Sequence, residues 1–160
     1  MTAYQLDDVD KQLLRLLQEN SRYTALELAE RVGVSDNTVH NRMERLEEAD
    51  IITGYTTTVD HDRTGLDLYF AFTCTARISK RAEMAEEIME FSEVVEVTEL
   101  MTGEHNLLVK AYGAEDKDIT RIAERFDQLD VEINDENLIR DEHVKPLNYI
   151  ELDRMLNDED

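Results

Sequence analysis

The sequence predicts an α+β chain of two domains, and three observations carry that prediction. Apolar residues recur at helical spacing in three stretches before residue 50, and β-branched and aromatic runs alternate with helical stretches after residue 66. All five glycines fall between these segments, where turns are needed. A length of 160 residues with 41% hydrophobic side chains is enough to fill two small cores.

Residues 6–19 place Val9, Leu13, Leu16 and Leu17 on one helical face, and residues 24–32 place Ala25, Leu28, Ala29 and Val32 on another. Residues 35–49 carry Val39, Met43 and Leu46 on one side and start at Ser35, whose hydroxyl suits a helix N-terminus. The next stretch, IITGYTTTV, is rich in β-branched residues around Gly54 and reads as a short hairpin or wing. Three helices and a wing make a winged helix-turn-helix over residues 1–60. VDHDRTGLD has no period, and residues 61–66 are read as a linker. LYFAFTCTA then reads as a strand, residues 81–91 as a helix carrying Ala85, Ile88 and Met89, and VVEVTEL as a second strand. After the turn MTGEHN the order repeats: LLVKAY, a helix over 115–129 with Ile119, Ile122, Ala123 and Phe126, and a fourth strand over 133–144. This βαββαβ order predicts a ferredoxin-like domain over residues 67–147. Its antiparallel sheet, with helices on one face, leaves the other face for a partner. Residues 148–160, ending in LNDED, are read as an acidic tail.

Composition excludes several classes of protein. No apolar run approaches the roughly 20 residues of a membrane span, and MTAYQLDDVDKQ lacks the basic and apolar regions of a secretory signal, so a cytoplasmic protein is expected. Cys74 is the lone cysteine and sits in the apolar FAFTCTA, which suits a buried strand position better than a reactive thiol. The four histidines are scattered, and no zinc spacing, phosphate-binding glycine loop or nucleophile motif occurs. No catalytic residue, metal or cofactor is expected.

The charge balance poses the harder question. The chain carries 38 acidic and 17 basic residues, a formal net charge of -21, and residues 1–60 alone hold twelve acidic against six basic. The excess is therefore shared by both domains. At about 1 M salt the Debye length is only about 3 Å, so such a surface could stay folded and still approach DNA in a cytoplasm of molar salt. A halophilic source is the simplest account, and the preference for arginine over only five lysines fits it.

The face of the third helix opposite Val39, Met43 and Leu46 carries Asn37, Thr38, Asn41, Glu44, Arg45 and Glu48, with Arg42 on its flank. Within residues 31–46, Arg31, Arg42 and Arg45 outnumber Asp36 and Glu44, which makes this surface a favourable island for a polyanion. Asparagine can form two hydrogen bonds to adenine in the major groove, and threonine can bond to base edges or touch a thymine methyl. Asn37, Thr38 and Asn41 are the base-reading candidates. Arg22, Arg42 and Arg45 are candidates for phosphate, and Ser35 at the helix start completes the set.

The stretch LDDVDKQLLRLLQENSRYTALELAERVGVSDNTVHNRMERLEEADIITGYTTTVDHDRTGL resembles the N-terminal domain and linker of the leucine-responsive and asparagine regulators, the Lrp/AsnC group of prokaryotic transcription factors. MTGEHNLLV resembles the turn of their effector domain. The resemblance, closest to a halophilic archaeal type, covers nearly the whole chain. It implies a regulator that binds double-stranded DNA and controls genes of amino-acid metabolism. It implies homodimers formed sheet to sheet, able to assemble into tetramers or octamers. It also implies an amino-acid-like effector held at contacts between regulatory domains by Gly103, Glu104, His105 and Asn106. Many relatives have aspartate where Asn106 stands, and a neutral amide holds an ammonium group less strongly. The sirohaem decarboxylases resemble the same two-domain plan, and an effector-binding module that contacts only proteins is a third reading. The intact reading helix favours DNA over both.

Overall fold

Each of the first three helices starts on a side chain that accepts one of its unpaired amides. The computed structural model describes residues 4–157. Helix α1 (Asp8–Glu19) opens with a reciprocal cap: Asp7 accepts the Asp10 amide at 3.0 Å, and the Asp10 carboxylate accepts the Asp7 amide at 3.2 Å. Helix α2 (Ala25–Val32) repeats the device with Thr24 and Glu27, and α3 (Asp36–Glu48) is capped by Ser35, which accepts the Thr38 amide at 3.1 Å. Gly33 ends α2 at φ 81°, a left-handed conformation in which its missing Cβ avoids a clash. Only Gly33, Val34 and Ser35 separate α2 from α3. Leu13, Leu16, Leu17, Leu28, Ala29 and Val39 bury together beneath the three helices.

Two expectations for this part of the chain are corrected. The hairpin expected over IITGYTTTV is absent: residues 51–59 contain no strand, and Tyr55 and Val59 are exposed. A two-stranded hairpin is marginal without a third strand or a packed face, and β-branched residues cannot supply either by themselves. The stretch instead meets α3 where the Tyr55 hydroxyl donates to Glu47 at 2.7 Å. The acidic tail expected over residues 148–160 is, in its described part, helix α6 (Tyr149–Asn157). The Asn148 side chain accepts the amides of Ile150 and Glu151, Tyr149 and Ile150 are half-buried, and Asp153 pairs with Lys11 of α1. The last three residues of the expected tail lie outside the described residues. The chain accordingly divides into one compact unit of residues up to Thr58 and from His143 onward, and a second of Val59–Glu142.

The second unit is the βαββαβ domain. Strands β1 (Leu68–Thr75), β2 (Val94–Glu99), β3 (Leu107–Gly113) and β4 (Glu132–Leu138) form one antiparallel sheet in the order β2-β3-β1-β4. Helices α4 (Arg81–Met89) and α5 (Asp116–Gln128) supply Met84, Ala85, Ile88, Ile122 and Phe126 to the core beneath Phe70, Phe72, Cys74, Leu107, Val109 and Ala111. The alternation along β1 and β3 divides the sheet into an inner apolar face and an outer one. Burial pushes the Cys74 thiol up to about 12, which makes it an inert core side chain. Strand β4 is shorter than the 133–144 expected. The Ile139 amide still donates to the Tyr69 carbonyl at 2.7 Å, one residue from the start of β1 at Leu68.

The outer face of the sheet carries Tyr69, opposite Tyr112 in the β1–β3 register, with their rings stacked at 4.3 Å. Burial, aided by the Glu142 carboxylate, pushes the Tyr69 phenol up to about 12 against the opposing pull of Lys110. Lys110 itself bridges Glu96 and Glu142, and Leu108 and Val95 remain exposed.

The inner core predicts one outcome directly. Phe126 is fully buried and meets Phe72 edge-on at 5.5 Å, so Phe126→Ala should cost about 3 to 5 kcal/mol. Urea unfolding of the full chain checks this, and a loss below about 1 kcal/mol would remove Phe126 from the centre of the core.

Candidate nucleic-acid interface

The short turn before α3 fixes where that helix starts, and its apolar residues fix which side faces outward. Val39 and Leu46 are fully buried and Met43 packs on the core, so Asn37, Asn41, Glu44 and Arg45 are left exposed. The side-chain amides of Asn37 and Asn41 have no hydrogen-bond partner among the described residues and keep their full donor and acceptor capacity. Thr38 is half-buried, with its hydroxyl 2.8 Å from that of Ser35. Ser35 thus spends its side chain on capping the helix and holding Thr38.

The arginines divide into different kinds. Arg22 is exposed in the turn before α2, and its side chain has no partner among the described residues. Arg31 lies over the Tyr23 ring at 4.5 Å, and Arg45 lies near Tyr4 at 5.8 Å, both positions that leave the guanidinium edge able to donate. Arg42 differs: its Nη1 donates to the Asp7 carboxylate and to Asp10 Oδ1 at 3.2 Å. Asp10 is buried with 1% exposure, so Arg42 is its counter-charge. The expected phosphate contact is therefore committed within the domain. Sequence reading missed Asp7 and Asp10 in this role. Their three-residue spacing marks a capping pair, but nothing local announces a partner in a helix more than 30 residues away.

The residues expected to hold an effector are brought together in the second unit and do unequal jobs. Gly103 and Glu104 are exposed in the β2–β3 turn, and His105 holds φ 50° while its amide donates to Thr75 Oγ1 at 2.8 Å. Asn106 is fully buried: its Oδ1 accepts the Ala76 amide at 2.9 Å, and its Nδ2 donates to the Ala76 carbonyl at 2.8 Å and more weakly to the Gly103 carbonyl. An aspartate could not donate to those carbonyls. Asn106 therefore ties the turn to the end of β1 and has no group left for a ligand. Beside the turn opens a recess of about 440 Å³, whose walls include Thr75, Arg77, Gly103, Asp127, Asp130 and Glu132. Arg77 and Asp130 pair across it at 3.2 Å.

A capped helix with an unengaged amide face, on a three-helix domain in a chain that also carries a βαββαβ domain, is the plan of a DNA-binding transcriptional regulator. Residues 6–47 match the AsnC-type helix-turn-helix domain. The chain is 30% identical over 105 residues to the HTH-type transcriptional regulator FL11 of Pyrococcus furiosus, covering 66% of this chain and 69% of that one. It is 31% identical over 117 residues to the HTH-type transcriptional regulator LrpA of Pyrococcus horikoshii, covering 73% and 82%. The chain belongs to the Lrp/AsnC family of transcriptional regulators, which are not enzymes. Among solved structures, a transcriptional regulator of Neisseria meningitidis in complex with L-Met matches with a TM-score of 0.76 at 27% identity, over 91% of this chain and 99% of that one. AsnC of E. coli shares the fold with a TM-score of 0.73 at 23% identity, over 91% and 99%. No helix among the described residues is long and apolar enough to cross a membrane.

Two outcomes are expected from this geometry. Asn41→Ala should weaken binding to a duplex selected from a random pool by about 1 to 3 kcal/mol and leave random DNA nearly unchanged. Competition titrations with both duplexes measure it, and equal losses on the two would remove Asn41 from base reading.

The second concerns acid. The Asp10 amide, with help from Arg42, holds the Asp7 carboxyl below the ordinary aspartate value. A depressed carboxyl stabilises the fold above its unfolded value of about 3.9 and loses that contribution as pH falls through the folded value. The thermal advantage of the parent chain over Asp7→Asn should thus be constant above about pH 5 and disappear in stronger acid. An advantage that survives at about pH 2 would mean that the ionised carboxylate is not its source.

Proposed function

We propose that this regulator reads an operator in the major groove with Asn37, Thr38 and Asn41, contacts phosphate through Arg22 and Arg45, and responds to an amino acid bound in its second unit. The observation that carries the reading is the exposed, unengaged amide pair of Asn37 and Asn41 on a helix whose start is fixed by Ser35. Two asparagines one turn apart can each address an adenine edge. An uncharged reading surface also suits a chain of net charge -21, because it asks less of long-range attraction than a basic helix would.

For the effector, support comes from the recess beside Gly103. Arg77 offers a partner for a carboxylate, Asp127, Asp130 and Glu132 offer partners for an ammonium group, and the related regulator from Neisseria meningitidis was solved with L-Met. Gly103 borders this space, and Asn106 ties the same turn to Ala76, which also lines it. Control of amino-acid metabolism genes would follow from such a ligand. A homodimer is supported by the outer sheet face, which carries Tyr69, Leu108, Lys110 and Tyr112 while α4 and α5 pack on the inner face. Paired half-sites one helical turn apart, or a multiple of it, suit two such chains.

The experiment is an operator titration of the full chain in KCl from about 0.1 to 3 M, with each of the common amino acids added in turn. Affinity is expected to change little across the salt range, because screening of carboxylate repulsion offsets the loss of phosphate contacts. At least one amino acid is expected to shift it severalfold. Steep monotonic loss of affinity with salt, or no response to any amino acid, counts against the corresponding half of the proposal.

A further inference from the structure

The side chain of Arg42 is one helical turn beyond Thr38 on the flank of the reading helix, only 25% exposed. It reaches back to the first turn of α1, where Asp7 and Asp10 already cap each other's amides. Asp7 Oδ1 accepts the Asp10 amide while its Oδ2 accepts from Arg42, and Asp10 Oδ2 accepts the Asp7 amide while its Oδ1 accepts from Arg42. Every carboxylate oxygen of the pair is thereby used. This is a closed network that joins the N-terminus of α1 to the middle of α3.

We infer that Arg42 is a positioning residue for DNA reading, a strut that fixes the presentation of α3 against the first turn of α1, and not a phosphate contact. The inference rests on the reading proposed for Asn37, Thr38 and Asn41. If Arg42 swung out to a phosphate, it would leave the Asp10 carboxylate buried at 1% exposure with no counter-charge, which is among the costliest arrangements a small domain can adopt. The core residues Val39 and Leu46 set which side of α3 faces outward. The ion pair one turn from Thr38 adds a second, directional tie from α3 to the first turn of α1. Base reading needs this, since a bidentate asparagine bond tolerates little misorientation.

Asp7→Asn decides between strut and phosphate contact, because the two readings give opposite signs. Asparagine caps a helix N-terminus about as well as aspartate, so the variant keeps α1 while removing one of the two carboxylates that hold Arg42. The full chain is titrated in KCl with a duplex selected from a random pool and with random duplex, alongside Arg42→Ala and Asn41→Ala. With a strut, Asp7→Asn and Arg42→Ala each lower the ratio of selected to random affinity by about tenfold. Arg42→Ala also leaves the log-log salt slope unchanged, where loss of a phosphate contact would reduce it by about 0.9. A purely structural loss lowers the active fraction equally for both duplexes and does not move the ratio. Tighter binding of both duplexes by Asp7→Asn at an unchanged ratio, or a reduced slope for Arg42→Ala, would overturn the inference. A lowered ratio for Asn41→Ala alone rejects the strut and leaves the reading face in place. No change of ratio in any variant rejects both.

Discussion

Repulsion among carboxylates is the constraint on which the rest of the structure depends. With 38 acidic side chains against 17 basic ones, the surface opposes compaction at any modest ionic strength, and the two apolar cores must offset it. Each core is simple. The first unit closes over leucines from α1 and α2 with Val39 of α3, and the second closes over Phe70, Phe72 and Phe126 with the aliphatic residues of β3 and α4. Cations are scarce enough that most basic side chains near a core are drawn into acidic partnerships: Lys11 with Asp153, Arg81 with Glu99, Lys110 with Glu96 and Glu142, Arg121 with Glu93 and Asp118.

That scarcity shapes the nucleic-acid surface. A regulator with basic residues to spare can approach DNA by charge and leave sequence reading to a few contacts. Here Arg42, in the middle of α3, is spent on a buried aspartate, and the outward face offers amides. On the proposed reading of α3, affinity comes more from directional bonds to bases and less from counterion release, which makes the orientation of α3 more consequential than its charge. The caps on the three helices, the left-handed Gly33 and the Arg42 network all act on that orientation. Of these, the Ser35 cap alone meets the proposed reading set, through the Thr38 amide and hydroxyl.

The second unit applies a similar economy to its turn. Asn106 holds both the amide and the carbonyl of Ala76, and Thr75 receives the His105 amide while donating to Asn134 at 2.6 Å. These bonds link the β2–β3 turn, the end of β1 and the edge strand β4 into one rim around the recess. Asn106, which the resemblance assigns to an effector, has its side chain bonded to Ala76 and Gly103. This is a usual fate for a buried amide, which must satisfy several groups at once or not be buried at all.

The sequence by itself determined helices α1 to α5, the four strands and their order, because each has its own period and its own punctuation. Leu13, Leu16 and Leu17 predict the buried face of α1 without reference to any other segment, and the alternation in LYFAFTCTA predicts β1 in the same way. It also determined the outward position of Asn37 and Asn41, which follows from helix geometry once Val39 and Leu46 are taken as core, whereas Thr38 is half-buried against Ser35. Only the tertiary structure decided the jobs of Arg42 and Asn106, since their partners Asp7, Asp10 and Ala76 lie about 30 residues away in sequence and no periodicity links them. It also decided the fate of the β-branched run after α3 and of the acidic C-terminal stretch. The first found no strand to pair with and stayed irregular, whereas the second found Lys11 and a place on α1 and became a helix. Local propensity proposes such segments, but the surface available to cover them determines what they form.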